Sequence, residues 1–297
     1  MGAASLGKEK IMLSRKKRKL TFAAVATLAM ACSPAYATTT TITIGVAANF
    51  STTLNAIINS FSSYYSGTYT YKFVTVVDST TNLKNAIISG AGAGPYDLFL
   101  SADFAAPQQL YTSYSSLVVG SPFQYATGSL VLWSGATNHV DISGGLPSPL
   151  TTNFVLADPT KAPYGKAASQ VLSSAPWSIP TSTTYPSGYA QTRPNINTTY
   201  AAVKDGTFPY GFVAKSAVCT KPSTTEVWYD STHTSHHEYL YNDAAHPYDQ
   251  IKQYGVKVVK SRTADQETEL TNFLNFLTGV GTTLGTAKIQ YYCYQLP

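Results

Sequence analysis

Charge is scarce in this chain: Asp, Glu, Lys and Arg make up 12% of its 297 residues, about half the share usual in soluble proteins. That argues against a surface organised by ion pairs. It has three cysteines, three methionines and three tryptophans, too few for a disulfide scaffold or a multi-cysteine metal cluster. The longest apolar run, Leu20 to Ala31, is too short to span a bilayer as a helix. There is no G-x-S-x-G nucleophile elbow, no phosphate-cradling Walker loop and no H-E-x-x-H. The absence of a catalytic set favours a binding protein over an enzyme.

The opening residues read as a separate unit. Lys8 to Lys19 is basic, Leu20 to Ala31 is apolar, and Ala35-Tyr36-Ala37 has the small-x-small form of a signal-peptidase site. Residues 1–37 are therefore expected to be a secretory signal cleaved after Ala37, giving a periplasmic protein. Lipidation at Cys32 is the competing reading, disfavoured because Leu28 stands one place too far back. The formal net charge of +5 belongs to this segment, which holds seven Lys/Arg and one Glu; removing it leaves 13 Lys/Arg against 14 Asp/Glu. A net charge of −1 carries no nucleic-acid footprint. Cys219 and Cys293 remain, and in an oxidising compartment an even pair is expected to be bridged.

What the mature sequence does have is Tyr, Thr, Ser and Ala, and a recurrent arrangement of them. Ile42 to Val46 reads as a short buried strand, and from Leu54 the residues Leu54, Ile57, Ile58 and Phe61 recur at helical spacing. Ala47 to Ser51 lies between, so a tight turn delivers the chain into a helix N-terminus. The same pattern follows. Tyr69 to Val77 is a strand, Asp78 to Thr81 caps a helix with Leu83, Ile87 and Ile88 on one face, and Tyr96 to Leu100 is a third strand. Gly128 to Ser134, Phe154 to Ala157, Tyr210 to Val213 and Val256 to Val259 are further strands. Pro163-Tyr164-Gly165 and Asn195 to Thr199 open two more helices, and Glu267 to Leu277 is amphipathic. Pro176 to Pro194 and Thr220 to Ala245 read as irregular. Strands alternating with helices predict an α/β fold with largely parallel sheets, with ligands at the strands' carboxyl ends.

Four turns thus open helices at Ala48–Asn49, Ser79–Thr80, Tyr164 and Ile196. Each alone could be ordinary capping. Together they suggest convergence on a small anion, because first-turn N–H groups lack internal partners and sit at the positive end of the helix dipole.

The runs Ile44 to Leu54, Val77 to Leu83, Tyr96 to Asp103 (YDLFLSAD), Leu156 to Ala168 (LADPTKAPYGKAA) and Asn195 to Ser216 resemble the periplasmic molybdate-binding proteins of ABC transporters, in that family's order and spacing. The resemblance implies a two-lobed type II periplasmic-binding-protein fold, each lobe a mixed, mostly parallel sheet flanked by helices. Residues 38–124 and 261–297 would form lobe I and 125–260 lobe II. It implies a ligand, molybdate or tungstate, with no cofactor, and a membrane permease as partner to a monomeric receptor. Carried over, Ala48 and Asn49 give backbone and amide contacts, Thr80 a hydroxyl, Ser79 a backbone N–H, Tyr164 its turn and Ile196 a main-chain N–H. Asp78 and Thr81 depart from the family, where glycines are common; a carboxylate at Asp78 must point away from an anion. Sulfate, phosphate or another oxyanion on the same fold remains open. So does metal binding by His233, His236, His237 and His246, although a solvated His-rich loop explains them as well.

Overall fold

The computed structural model describes residues 1–2, 40–66 and 71–297. The expected signal segment, its cleavage site and Cys32 lie outside the described residues. No helix among the described residues is long and apolar enough to cross a membrane.

In chain order the elements are β1 (Thr40–Ala47), α1 (Ser51–Tyr64), β2 (Tyr71–Asp78), α2 (Thr80–Ser89), β3 (Leu98–Ser101), α3 (Ala105–Ser113), β4 (Val118–Gly128) and β5 (Leu130–Ser134). Then come β6 (Phe154–Ala157), α4 (Pro163–Ser173), β7 (Ala190–Arg193), α5 (Ile196–Lys204), β8 (Gly211–Ala214) and α6 (Lys215–Val218). The chain ends with β9 (Cys219–Thr220), β10 (Val227–Trp228), β11 (Ser235–Tyr239), β12 (Ile251–Val258), α7 (Ala264–Thr278) and α8 (Leu284–Tyr291).

Two five-stranded sheets organise the molecule, in the orders β2-β1-β3-β12-β4 and β11-β5-β8-β6-β7. Each is mixed, as expected. β1 pairs in parallel with β2 and β3, and β6 with β7 and β8, whereas the pairs made by β12 and by β5 are antiparallel. Both faces of each sheet are covered. In the first, Ile42, Ile44, Val46, Leu54 and Phe61 pack with Phe273 and Phe276 of α7, while Leu83, Ile87, Phe99 and Val256 fill the opposite face. In the second, Leu130, Leu156, Val171, Leu172 and Phe212 form one core and Val131, Trp133, Val155 and Val203 the other. Fully burying each such side chain contributes about 1.5–3 kcal/mol, enough to override weak local preferences.

The expected lobe boundaries need correction at two places, the first being 125–128, which complete β4 in the first sheet rather than opening the second lobe. Residues 251–258 were assigned to the second lobe, yet β12 lies between β3 and β4 in the first sheet. Ile251, Gln253, Gly255, Val256 and Val258 of β12 are buried there, and Gln253 accepts from the Asn49 side chain. The chain therefore passes between the halves at 128–130 and again between β11 and β12. The C-terminal segment is tied to the rim of the first sheet, where Thr127 and Gln295 exchange hydrogen bonds of 2.8 and 3.0 Å.

The irregular reading of 220–245 is also incomplete. Ser235 to Tyr239 is the edge strand β11, paired antiparallel with β5. Cys219 and Cys293 form the expected disulfide, with a Cα–Cα distance of 6.0 Å.

Candidate functional site

The six residues singled out by the sequence line one cavity. Ala48, Asn49, Ser79, Thr80, Tyr164 and Ile196 surround one small space, with Ala47, Ala102, Ala162, Pro163 and Asn195 completing the wall. No charged side chain is in the lining. A larger groove of about 680 Å³ also reaches Asn49, walled by Tyr200, Trp228, Tyr229 and Tyr292. Its aromatic walls do not bring the four helix starts together, so the enclosed space is the candidate site.

The small cavity sits where four helix starts meet. The 3₁₀ turn Ala48–Phe50 and α2 come from the first sheet, α4 and α5 from the second. At α4 the N-cap is Ala162, which supplies no side-chain acceptor, and Pro163 occupies the first turn. The Tyr164 and Gly165 N–H groups are thus left to whatever fills the cavity. Gly165 is required by packing: a Cβ there would run into the carbonyl of Ala157, at the end of β6. At α5, Asn195 caps the amides of Asn197 and Thr198 at 3.1 Å each, sparing that of Ile196.

Ser79 and Thr80 behave differently from each other. The Ser79 hydroxyl accepts from the Asn82 amide as the N-cap of α2, and the Ser79 N–H donates to the Asp78 carboxylate at 2.6 Å. The backbone donor expected of Ser79 is therefore already engaged. Asp78 is also held by the Asn82 side chain at 3.1 and 3.2 Å, which accounts for a carboxylate so near the cavity. Thr80 accepts from the Ala102 N–H at 3.1 Å, leaving its own O–H proton free to donate inward.

Asn49 also corrects an expectation. Its side-chain amide donates to Gln253 Oε1 at 2.9 Å and to the Tyr294 hydroxyl at 3.0 Å, so both amide protons are directed away from the cavity. The Asn49 carbonyl accepts from Tyr294 at 2.8 Å. Tyr164 joins the same group: Gln253 Nε2 donates to its hydroxyl at 3.4 Å, and Gly128 leaves it room, since a Cβ there would overlap the Tyr164 oxygen. Tyr125 completes the group, its hydroxyl 3.1 Å from Gln253 Oε1. Burial pushes Tyr164 and Tyr125 well above, and Tyr294 above, the usual phenol value, so all three hydroxyls are neutral at physiological pH. Gln253, Tyr125 and Tyr294 were not anticipated. No local sequence signal marked them: β12 carries Lys252, Tyr254 and Lys257 besides Gln253, so the glutamine does not stand out.

The cleft is closed over the cavity. The Thr81 N–H donates to the Lys161 carbonyl at 3.2 Å, and Asn197 Nδ2 donates to the Ser51 hydroxyl at 3.1 Å, each bond joining one half to the other. Thr81, an apparent departure from the family pattern, is thus part of the closure.

The four histidines of the metal reading are not gathered. His236 and His237 are consecutive on β11 and face opposite sides: His236 stacks on Trp228 at 3.6 Å, and His237 Nδ1 lies 2.9 Å from the Ser143 carbonyl. His233 pairs with Asp230 and His246 lies against Trp177. Among the described residues, the one group with ligand atoms close enough for a metal is Cys219, Glu226 and Cys293, and both of its sulfurs are in the disulfide.

Two mixed sheets joined by a few crossings, with helix N-termini facing one another across a closed cleft, define the two-lobed type II periplasmic-binding-protein fold. The chain belongs to the bacterial extracellular solute-binding protein family, whose profile matches residues 42–280. It is 33% identical over 178 residues to the molybdate-binding protein ModA of Azotobacter vinelandii and 32% over 182 residues to that of Rhodobacter capsulatus. These matches take in 60% and 59% of this chain and just under two thirds of each relative, 66% and 65%. The fold superposes on the Azotobacter vinelandii periplasmic molybdate-binding protein with a TM-score of 0.65 at 23% identity, covering 86% of this chain and 99% of that one.

Proposed function

We propose that this chain is the periplasmic receptor of an ABC importer and captures molybdate or tungstate, one ion per chain, without catalysing a reaction. The observation that carries the reading is the convergence of four helix starts, two from each half, on one small cavity with no charged side chain in its wall. A tetrahedral dianion needs many donors at once, and backbone N–H groups with a hydroxyl supply them without a buried counter-charge. The relatives named above as molybdate-binding proteins support the choice of ion.

The lining also bears on which anion is taken. It contains no carboxylate, the strongest acceptor for the O–H of a protonated oxyanion. Hydrogen phosphate would find only neutral acceptors for its O–H there, a weaker pairing than a carboxylate gives. A fully deprotonated dianion incurs no such penalty. Sulfate is the remaining competitor, a smaller ion that would leave some of these donors beyond hydrogen-bond reach.

Ligand capture would shift the two halves toward the closed arrangement and present a closed surface to a membrane permease. Ala48 and Asn49 would act through their backbone, Thr80 through its hydroxyl, Tyr164 and Ile196 through first-turn N–H groups, and Ser79 through the cap that holds α2. Calorimetric titration of purified protein against molybdate, tungstate, sulfate and phosphate tests this. One-to-one binding of molybdate or tungstate, tighter than sulfate, is expected; no binding of either, or preference for sulfate, overturns it.

A further inference from the structure

The disulfide joins the two halves. Cys219 follows α6, which continues from β8 of the second sheet, and Cys293 follows α8, which packs with α1 and α7 on the first. Both cysteines are buried. The residue after Cys293 is Tyr294, whose hydroxyl lies directly behind the cavity wall.

Three of its contacts meet at that oxygen. It donates to the Asn49 carbonyl at 2.8 Å, accepts from Asn49 Nδ2 at 3.0 Å, and accepts from the Ser216 hydroxyl of α6 at 2.9 Å. One phenol thus holds the Asn49 peptide from both its carbonyl and its side chain, and ties it to the second half. Its ring stands edge-on to Phe50 at 5.3 Å. The turn Ala48–Phe50 therefore has little freedom to move without dislodging Tyr294.

Nothing in the local sequence would place Tyr294 there unaided. Cys293 has φ +59°, a left-handed conformation that L residues rarely adopt, and this turn directs the next side chain inward. The disulfide at Cys293, the Lys221 N–H to the Tyr291 carbonyl and the Thr127–Gln295 bridge hold the turn on each side.

We propose that Tyr294 is a positioning residue for the anion site and that the Cys219–Cys293 disulfide is what keeps it in place. It touches no ligand; it fixes the direction in which the Asn49 turn presents its N–H groups. The inference rests on the reading of the cavity as an oxyanion site.

The test is Tyr294→Phe in the full oxidised chain, with Ser216→Ala as a second variant that leaves the ring in place. Molybdate affinity by calorimetry should fall on the order of tenfold in Tyr294→Phe, the effect of one lost hydrogen bond at a charged site. A purely structural role would lower the melting temperature and leave affinity where it was. Replacing both cysteines by serine should weaken binding to a similar degree, and adding Tyr294→Phe to that background should cost little more. Additive losses would overturn the link to the disulfide. A ligand-free readout separates this proposal from the choice of ion: amide NMR resonances of residues 48–51 should move in Tyr294→Phe even if no oxyanion binds the wild type. Unchanged resonances together with wild-type affinity would overturn it.

Discussion

Asn197 of α5 donates to the Ser51 hydroxyl of α1 at 3.1 Å, and Ser51 donates onward to the Ala48 carbonyl at 2.9 Å. One relay thus runs from the second half, through the first turn of α1, to the wall of the cavity. Breaking it should destabilise the closed form alone. Asn197→Ala and Ser51→Ala are each expected to weaken oxyanion affinity about fivefold, corresponding to roughly 1 kcal/mol, with the double variant little worse than either. Ligand-free melting temperatures should stay close to wild type. Equal losses of stability in the ligand-free proteins would show that the bond is not specific to closure.

Thr80 and Tyr164 should separate in their effects although both line the cavity. Thr80→Ala removes a hydroxyl free to donate inward and orphans the Ala102 N–H, so affinity should drop roughly ten- to a hundredfold, while Thr80→Ser should retain most of it. The Tyr164 hydroxyl faces Gln253, and Tyr164→Phe should change affinity by less than about threefold. Titration calorimetry on the three variants distinguishes a side-chain donor from a backbone one.

Glu269 gives the fold a dependence on pH. It is buried on α7, neither carboxyl oxygen has a hydrogen-bond partner among the described residues, and burial, with a smaller contribution from nearby Asp97, pushes its pKa up to about 8 from 4.5. Between those values the folded protein keeps a proton that the unfolded chain releases, so stability falls as pH rises through this window and levels off above it. The loss should be on the order of a few kcal/mol, and Glu269→Gln should flatten the profile and raise the melting temperature near pH 8. Melting curves from about pH 5 to 9 for both proteins check this; a wild-type profile as flat as the variant's would contradict it.

Replacing His233, His236, His237 and His246 together should leave oxyanion affinity nearly unchanged, since none lines the cavity. Zinc titration of the wild type should give no site of defined stoichiometry that those substitutions remove. A loss of molybdate binding in the four-fold variant would contradict the geometry.

For export, the expected product begins at Thr38. Intact mass of protein from the periplasm would show it, and a lipid-modified species retaining Cys32 would point to the alternative.

The fold class and the cavity wall were legible because both depend on local patterns. The change from strand to helical period around Ala48 survives in the structure, as do the caps at Ser79 and Asn195. What was not legible depends on residues far apart in sequence. β4, with Gly120 and Pro122 in it, and β11, SHHEY, have little strand character of their own and take their form from β12 and β5. β12 was read in the wrong half because a strand's pattern does not say which sheet it enters. Asn49 was assigned an inward amide because its partners, Gln253 and Tyr294, stand more than 200 residues away.

The uncharged lining has a consequence for how the receptor behaves in traffic. With no cation in the lining, the binding step itself should depend little on ionic strength, any steering being left to charges outside the cavity. Once inside, the ion's two charges stay uncompensated. Under the proposed export and capture, a chain of formal charge −1 after removal of residues 1–37 would become one of −3 with the dianion bound, and the filled form should run ahead of the empty one toward the anode and elute later from an anion exchanger.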